Sequence, residues 1–270
     1  MSDVEKEFCE NVTKDINKEF DKQGLTKIRG RLIFVQNGYS LSIIKTTSVW
    51  QSLRRKLMGP DVAPVLFDSD ELSGIFFNAN ADVTVIYIGY SYTNDGYTGL
   101  NLNALLISVL LWIIIKSRHF NNVHTVHAEV INSIMLYMLS KVGFKIYAVE
   151  EGFRVEVVQN AIDKLMREKS DLQAWETELK HFNMARAGDR NRILMTLEIP
   201  FRKMHKDETD AHDRMVEHIQ KHLGKYAATP NPKAYGGGGG GAKRSMTDVS
   251  RQLVACGAVL TAATYTFLMP

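Results

Sequence analysis

The order of hydrophobic and polar positions divides the chain into stretches of different period. Over residues 3–22, Val4, Phe8, Val12, Ile16 and Phe20 recur every fourth residue, which predicts an amphipathic helix with one docking stripe. Gly24 stops that pattern. Residues 31–36 and 39–47 then read as two strands around Asn37-Gly38, a dipeptide suited to a two-residue type I′ turn. A short helix over 48–58 is expected to end at Gly59-Pro60, because proline disfavours helical dihedrals in the residue before it. Strands are expected at 64–67, 72–78 and 82–93, the last rich in valine, isoleucine and tyrosine and broken by Asn94-Asp95-Gly96.

Residues 100–115 are almost continuously apolar. A membrane span needs about 20 apolar residues; this run is shorter and Asn101, Asn103 and Ser108 interrupt it. A helix buried against a sheet is therefore expected. A strand at 123–130 and a helix at 132–142 follow, with Gly143 placed to close that helix in the left-handed conformation. Residues 144–149 and 153–158 pair in this reading as a terminal hairpin across Glu150-Glu151-Gly152.

Beyond 158 the texture becomes charged. A long helix is expected over 160–186, where Leu165, Leu172 and Leu179 fall seven apart with Trp175 beside them. That spacing makes a seam, either for the chain's own domain, the preferred reading, or for a partner helix. Residues 192–199 read as an added strand and 209–226 as a further helix. The expected organisation is an N-terminal helix (1–27), a main domain (28–158), a mainly helical extension (159–228), a Pro/Gly-rich linker (229–251) and an apolar tail (252–270). Six consecutive glycines at 236–241 make the linker a tether. Leu253, Leu260 and Phe267 are the tail's candidate partner contacts. Burial in a partner groove is preferred over a thin membrane anchor, because threonines and alanines dilute the tail's hydrophobicity.

Composition narrows the functional classes. Hydrophobic residues make up 45% and charged residues 23%, with 33 Lys+Arg against 30 Asp+Glu and a net charge of +3, so no concentrated cationic stripe suggests a nucleic-acid groove. Cys9 and Cys256, the only cysteines, cannot build a disulfide framework or a thiolate zinc site by themselves. Acidic residues near the start break the apolar run a secretory signal needs, so an intracellular, non-secreted protein is expected. His218 and His222 lie one helical turn apart, which suits a shared metal, but a polar solvated face is the expectation and no metal site is assigned.

The order of elements over 28–158 resembles the GCN5-related N-acetyltransferase (GNAT) fold, an α+β fold with a mixed, mostly antiparallel sheet flanked by helices. The resemblance is carried by a strand with Val85-Ile86-Tyr87-Ile88-Gly89-Tyr90, then Gly96-Tyr97-Thr98-Gly99-Leu100-Asn101, then Asn132 followed eleven residues later by Gly143-Phe144. In that family a Q/R-x-x-G-x-G/A loop at a helix start holds the pyrophosphate of acetyl-CoA on backbone amides. The resemblance implies Gly96, Gly99, Leu100 and Asn101 as the corresponding loop, with only Gly99 matching the pattern. The family's second pattern places a tyrosine, the acid for the departing thiolate, four residues before the Gly-Phe pair. Here that position is Leu139, with Met135 at the family's alanine. Tyr137, two residues away, falls on a nearly opposite helix face. His124, His127 and Glu129 are the base candidates on the next strand, the two histidines on opposite faces of it.

Two functions follow. The preferred one is a non-catalytic GNAT-like scaffold without a cofactor, working through its appendages as an assembly protein among other proteins, with a minor capsid component of a large DNA virus as a further guess. The alternative is an acetyl-CoA-dependent N-acetyltransferase using Tyr137, His127 and Glu129.

Overall fold

The structure, a computed structural model, describes residues 3–35, 38–46, 71–94, 97–130, 133–149, 154–180, 193–199 and 206–226. The expected helix at 48–58, the strand at 64–67, the linker and the apolar tail with Leu253, Leu260 and Phe267 lie outside these residues. By contacts the chain divides into Met1–Pro230 and Asn231–Pro270.

Seven strands form one sheet: β1 (Ile28–Val35), β2 (Gly38–Lys45), β3 (Glu71–Ala79), β4 (Val85–Thr93), β5 (Thr125–Val130), β6 (Lys145–Val149) and β7 (Ile193–Glu198), in the order β1-β2-β3-β4-β5-β7-β6. Every neighbouring pair is antiparallel except β4 and β5. This is the mixed, mostly antiparallel sheet flanked by helices that the resemblance implies. The helices are α1 (Asp3–Lys22), α2 (Leu102–Lys116), α3 (Ser133–Val142), α4 (Val155–Arg167), α5 (Leu172–Leu179) and α6 (Lys206–Tyr226).

Three sequence expectations need correction. The pairing of β1 and β2 closes at Val35↔Gly38, so Gly38 belongs to the strand; a Cβ there would lie 2.6 Å from Cζ of Phe76, which explains the glycine. Residues 155–158 begin α4 and make no hairpin with β6. The strand beside β6 is β7, which also pairs with β5. Local alternation in 153–158 fits a strand equally well, but the face of α4 carrying Val158, Ile162 and Leu165 is buried, and tertiary burial decides. The long helix expected at 160–186 is interrupted: α4 ends at Arg167, Lys169 has a φ of 52°, and α5 starts at Leu172. Leu165, Trp175 and Leu179 are buried in the chain's own core, as the preferred reading of the seam has it, and not on a surface for the partner helix that was its alternative.

Helix α1 docks on β1 through both packing and polar groups. Ile16 and Phe20 are fully buried, whereas Val4 is 69% exposed, because a four-residue spacing advances about 400° and the stripe drifts about 40° at each step. The outward backbone of edge strand β1 is satisfied by α1 side chains: Asn17 Nδ2 donates to Gly30 O at 2.9 Å and its Oδ1 accepts from Gly30 N at 3.0 Å, and Thr13 Oγ1 accepts from Leu32 N at 3.0 Å. Such pairing removes the free strand edge. Helix α2 lies against β2, β3 and β4, and α6 packs on α2. Trp112 near the end of α2 meets His212 early in α6, and Asn101 at its start meets His222 late in α6, so the two helices run antiparallel. The same α6 reaches α1 through His212 and Glu19 at 3.7 Å and through Gln220 and Gln23 at 3.2 Å.

The close seat of α1 on Gly30 gives a test. A Cβ at Gly30 would sit 2.4 Å from Cγ2 of the buried Ile16, so Gly30→Ala is expected to destabilise the fold by about 1–3 kcal/mol through overpacking. Gly30→Ala combined with Ile16→Ala should be less destabilised than the sum of the two single changes in urea unfolding, because the shortened side chain removes the clash.

Candidate active site

Strands β4 and β5 pair in parallel from Val85↔Thr125 to Ile88↔Ala128 and then separate. One cause is visible. The register of β3 on β4 shifts between Phe76 and Phe77, pairing Phe76 with Tyr90 and Phe77 with Ile88, which leaves Gly89 as the extra residue of a bulge that turns β4. On its other edge β5 stays paired with β7 throughout, from Thr125↔Glu198 to Val130↔Ile193, so the parting is on the β4 side. The result is an opening bordered by Gly89–Thr93 on one side and Glu129–Val130 on the other.

The loop that leaves β4 enters α2 beside this opening. Gly99 has a φ of 81° and Asn101 a φ of 59°, both left-handed, and Asn101 makes no side-chain cap bond. The first-turn amides of α2 are therefore not capped by the Asn101 side chain. Nothing lies within 4 Å of the Cβ position of Gly99, so an anion can approach the backbone there. Of the loop residues inferred from sequence, Gly99, Leu100 and Asn101 are brought together at this helix start; Gly96 lies outside the described residues. Ser73 Oγ fixes the first turn, 2.6 Å from Tyr92 O and 2.8 Å from Oδ1 of Asn103. A hydroxyl has one proton, so Asn103 presents its NH2 to Ser73 when that proton goes to Tyr92 O.

Helix α6 delivers residues here that the sequence does not connect to the loop. The ring of His222 lies with both nitrogens 3.3 Å from Asn101 Nδ2, an edge contact that lets the amide donate to the unprotonated nitrogen. His218 stands 4.8 Å from His222 between ring centroids and bonds to the Asn101 backbone. Its Nε2 is buried with no partner among the described residues. Burial, then the charges of His222 and Lys221, push the His218 imidazole down to about 4. A separation of 121 residues hides the Asn101–His222 contact from any spacing rule. Among the described residues no group of three His, Cys, Asp or Glu is arranged to hold a metal ion.

The three candidate catalytic residues divide into two places. His127 pairs with Tyr87 across β4 and β5, its ring 5.5 Å from Tyr87 and 5.8 Å from Tyr147. Burial first, and His124 second, lower its pKa below the ordinary 6.5, which keeps it neutral and able to accept a proton at pH 7. Glu129, two residues on, shares its face of β5 and stands where β4 has departed. Tyr137 is elsewhere: its described contacts are an edge-on packing at 5.0 Å against Trp175 and the ammonium of Lys141, which bonds its hydroxyl. Leu139 and Met135 are buried in the core. Tyr147 carries no signal of its own in the sequence, because the irregular register of β6 on β7 between Ile146 and Ala148 is what presents its ring to His127.

No protein-family model and no curated protein matches the chain. Solved structures do. The ribosomal-protein-S18-alanine N-acetyltransferase from Escherichia coli is similar at 10% identity and a TM-score of 0.36 over 76% of this chain and 94% of that one. The ribosomal-protein-S5-alanine acetyltransferase from Vibrio fischeri is similar at 10% identity and a TM-score of 0.33 over 67% of this chain, which spans 66% of that chain's length. A Bacillus subtilis acetyltransferase in complex with CoA is similar at 11% identity and a TM-score of 0.32, over 74% and 93%. The fold is GNAT-like. Against the expectation of a non-catalytic scaffold with a place in a virion, the structures to which the chain is similar are described as acetyltransferases, a likeness that bears on the fold alone.

The buried His218 carries a pH prediction. Its folded pKa of about 4 lies below the ordinary histidine value of 6.5, so the unfolded chain binds more protons between these values and stability falls as pH drops through 6.5 toward 4. The loss, on the order of 2 kcal/mol after allowance for its partial exposure, should flatten in His218→Gln. Urea midpoints measured between about pH 4.5 and 7.5 check the slope.

Proposed function

We propose that the chain is an acetyl-CoA-dependent N-acetyltransferase. The observation that carries this reading is the parting of β4 and β5 after Ile88↔Ala128 beside the left-handed Gly99–Asn101 turn at the start of α2. The turn suits the phosphates of a coenzyme, because uncapped amides and the helix dipole both favour an anion and glycine keeps the approach clear. Gly99, Leu100 and Asn101 would hold that end. Bound acetyl-CoA supplies an activated thioester carbonyl.

The chain's own residues then have limited, definable tasks. His127, kept neutral by burial, is the base: it accepts the proton lost as the amine nitrogen bonds to the acyl carbon. Leu139 carries no proton to give, so the departing sulfur takes its proton from water. The sheet supplies position, and orientation alone can lower the barrier of a two-substrate reaction by several kcal/mol.

Incubation of the full chain with acetyl-CoA and a panel of primary amines is expected to yield free thiol and acetylated amine. His127→Gln should lower the maximal rate by about 10²-fold or more, with coenzyme binding retained. The wild-type rate should be level above the depressed His127 pKa and fall below it, since protonation removes the accepting nitrogen. Absence of coenzyme binding at millimolar concentration rejects the reading.

A further inference from the structure

We propose that His218 and His222 of α6 form a binding site for a borderline divalent transition-metal ion of the zinc class, with Asn101 at the start of α2 holding both rings. The site stands whether or not the chain transfers acetyl groups.

Spacing comes first. Residues four apart on a helix lie one above the other on the same face, and the two ring centroids are 4.8 Å apart with planes inclined at 50°. With metal–nitrogen bonds of about 2.0–2.1 Å, two imidazoles on one ion have centroids about 4.5–5.2 Å apart, for bond angles of about 90–110°. The pair has that separation as folded.

The partners of each ring point the same way. The bond of His218 to the Asn101 backbone favours the protonated imidazole, so the ring donates and the carbonyl accepts. The same oxygen accepts from Leu105 N at 3.1 Å, one lone pair for each donor. His218 Nε2 is buried and has no partner among the described residues, so Nδ1 is the donor and Nε2 keeps a bare lone pair. Metal-binding histidines are held in this manner, one nitrogen donating to a carbonyl and the other turned to the ion. Asn101 occupies the cap position of α2, yet its side chain makes no cap bond and lies on His222 instead, with Nδ2 3.3 Å from each ring nitrogen. A half-turn of the amide puts Oδ1 there, accepting from one His222 nitrogen while the other takes the ion.

The surroundings select the kind of ion. Within four residues of the pair, Arg214, Lys221 and Lys225 stand against one carboxylate, Glu217, and all four are exposed. These charges and the positive end of α2 oppose a cation held by charge alone, which excludes Mg²⁺ and Ca²⁺, whose ligands are oxygens. Imidazole nitrogen suits zinc, nickel and copper, whose bonds draw on the lone pair. Two imidazoles are fewer than the ligands of a closed structural site, so water completes the shell. The ion would brace the last turns of α6 on Asn101.

Zinc chloride titrated calorimetrically into the untagged full chain at neutral pH tests this. Saturable binding is expected, with magnesium chloride giving none. His218→Gln and His222→Gln should each weaken zinc at least tenfold, and Asn101→Gly, which keeps the carbonyl and the left-handed backbone but removes the amide, by about tenfold. His124→Gln should leave binding unchanged. Zinc should raise the urea midpoint of the wild type and not that of the chain carrying both glutamines. Midpoints in EDTA show which variants fold, and His222→Gln, at the more exposed position, carries the test if His218→Gln does not. No binding at millimolar zinc, or binding that neither substitution weakens, overturns the proposal.

Discussion

Helix α2 has no polar face, and that constraint organises the larger unit. Ten of its residues are buried, from Leu102 to Ile114, on all sides of the helix. A single sheet covers only one side of a helix, so the remainder must be covered by other elements. Helix α6 supplies this cover with Met215 and Ile219 and is tied to α1 at Glu19. Burial tends to raise the Glu19 carboxyl, but hydrogen bonds from Gln23 and Lys22 and the charges of His212 and Lys22 outweigh it and hold the pKa below its usual value. The polar residues of α1 and α6 thus meet around the edge of an apolar layer. One consequence reaches the site: an antiparallel α6 long enough to cover α2 must end near its N-terminus, which is where His218 and His222 meet Asn101.

The opening between β4 and β5 depends on an irregularity of β4. The bulge at Gly89 turns β4 away, while β5 stays paired with β7 on its other edge along its whole length. Strand β7 enters the sheet after two helices and more than 30 residues of chain. Its position between β5 and β6 also lets Tyr147 reach across it toward His127. The cover of α2 comes from α6, and β7 sets the distance between β5 and β6, so both C-terminal elements enter the construction of the sheet around the opening.

The sequence was most legible where one physical signal dominated. The apolar run at 100–115 identified α2 and its burial, and Gly143 marked the end of α3, where Phe144 N bonds to Leu139 O at 3.1 Å and Gly143 has a φ of 105°. Gly99 was found through the resemblance of its loop to the family's phosphate-binding pattern, of which it is the one matching position. Legibility failed where tertiary partners decide. Nothing local in 153–158 distinguishes a hairpin strand from the first turn of α4, since its buried face is set by the sheet it lies on. The heptad-like spacing of Leu165, Leu172 and Leu179 conceals a break at Lys169, whose left-handed backbone carries no glycine or asparagine to signal it. In the site, His127 and Glu129 were visible as residue types on a strand, but their grouping with Tyr147 required the β6 irregularity and the intervening β7.

Leu139 was the strongest argument against enzymatic chemistry, and magnitudes reduce its weight. A positioned acid or base contributes about 10²–10⁴-fold, whereas holding two reactants in line corresponds to effective molarities of about 10⁵–10⁸ M. Loss of the acid removes the smaller factor. Thiols ionise near about pH 8.5, so a sulfur departing as thiolate at neutral pH is a far better leaving group than an alkoxide and needs a proton less at the moment of departure. The proton that does require a partner is the one on the amine, because an ammonium has no lone pair with which to attack. In the proposed reading, the histidine beside the opening, its pKa lowered by burial, would address that step, and the acid the chain lacks would address the one that water can complete.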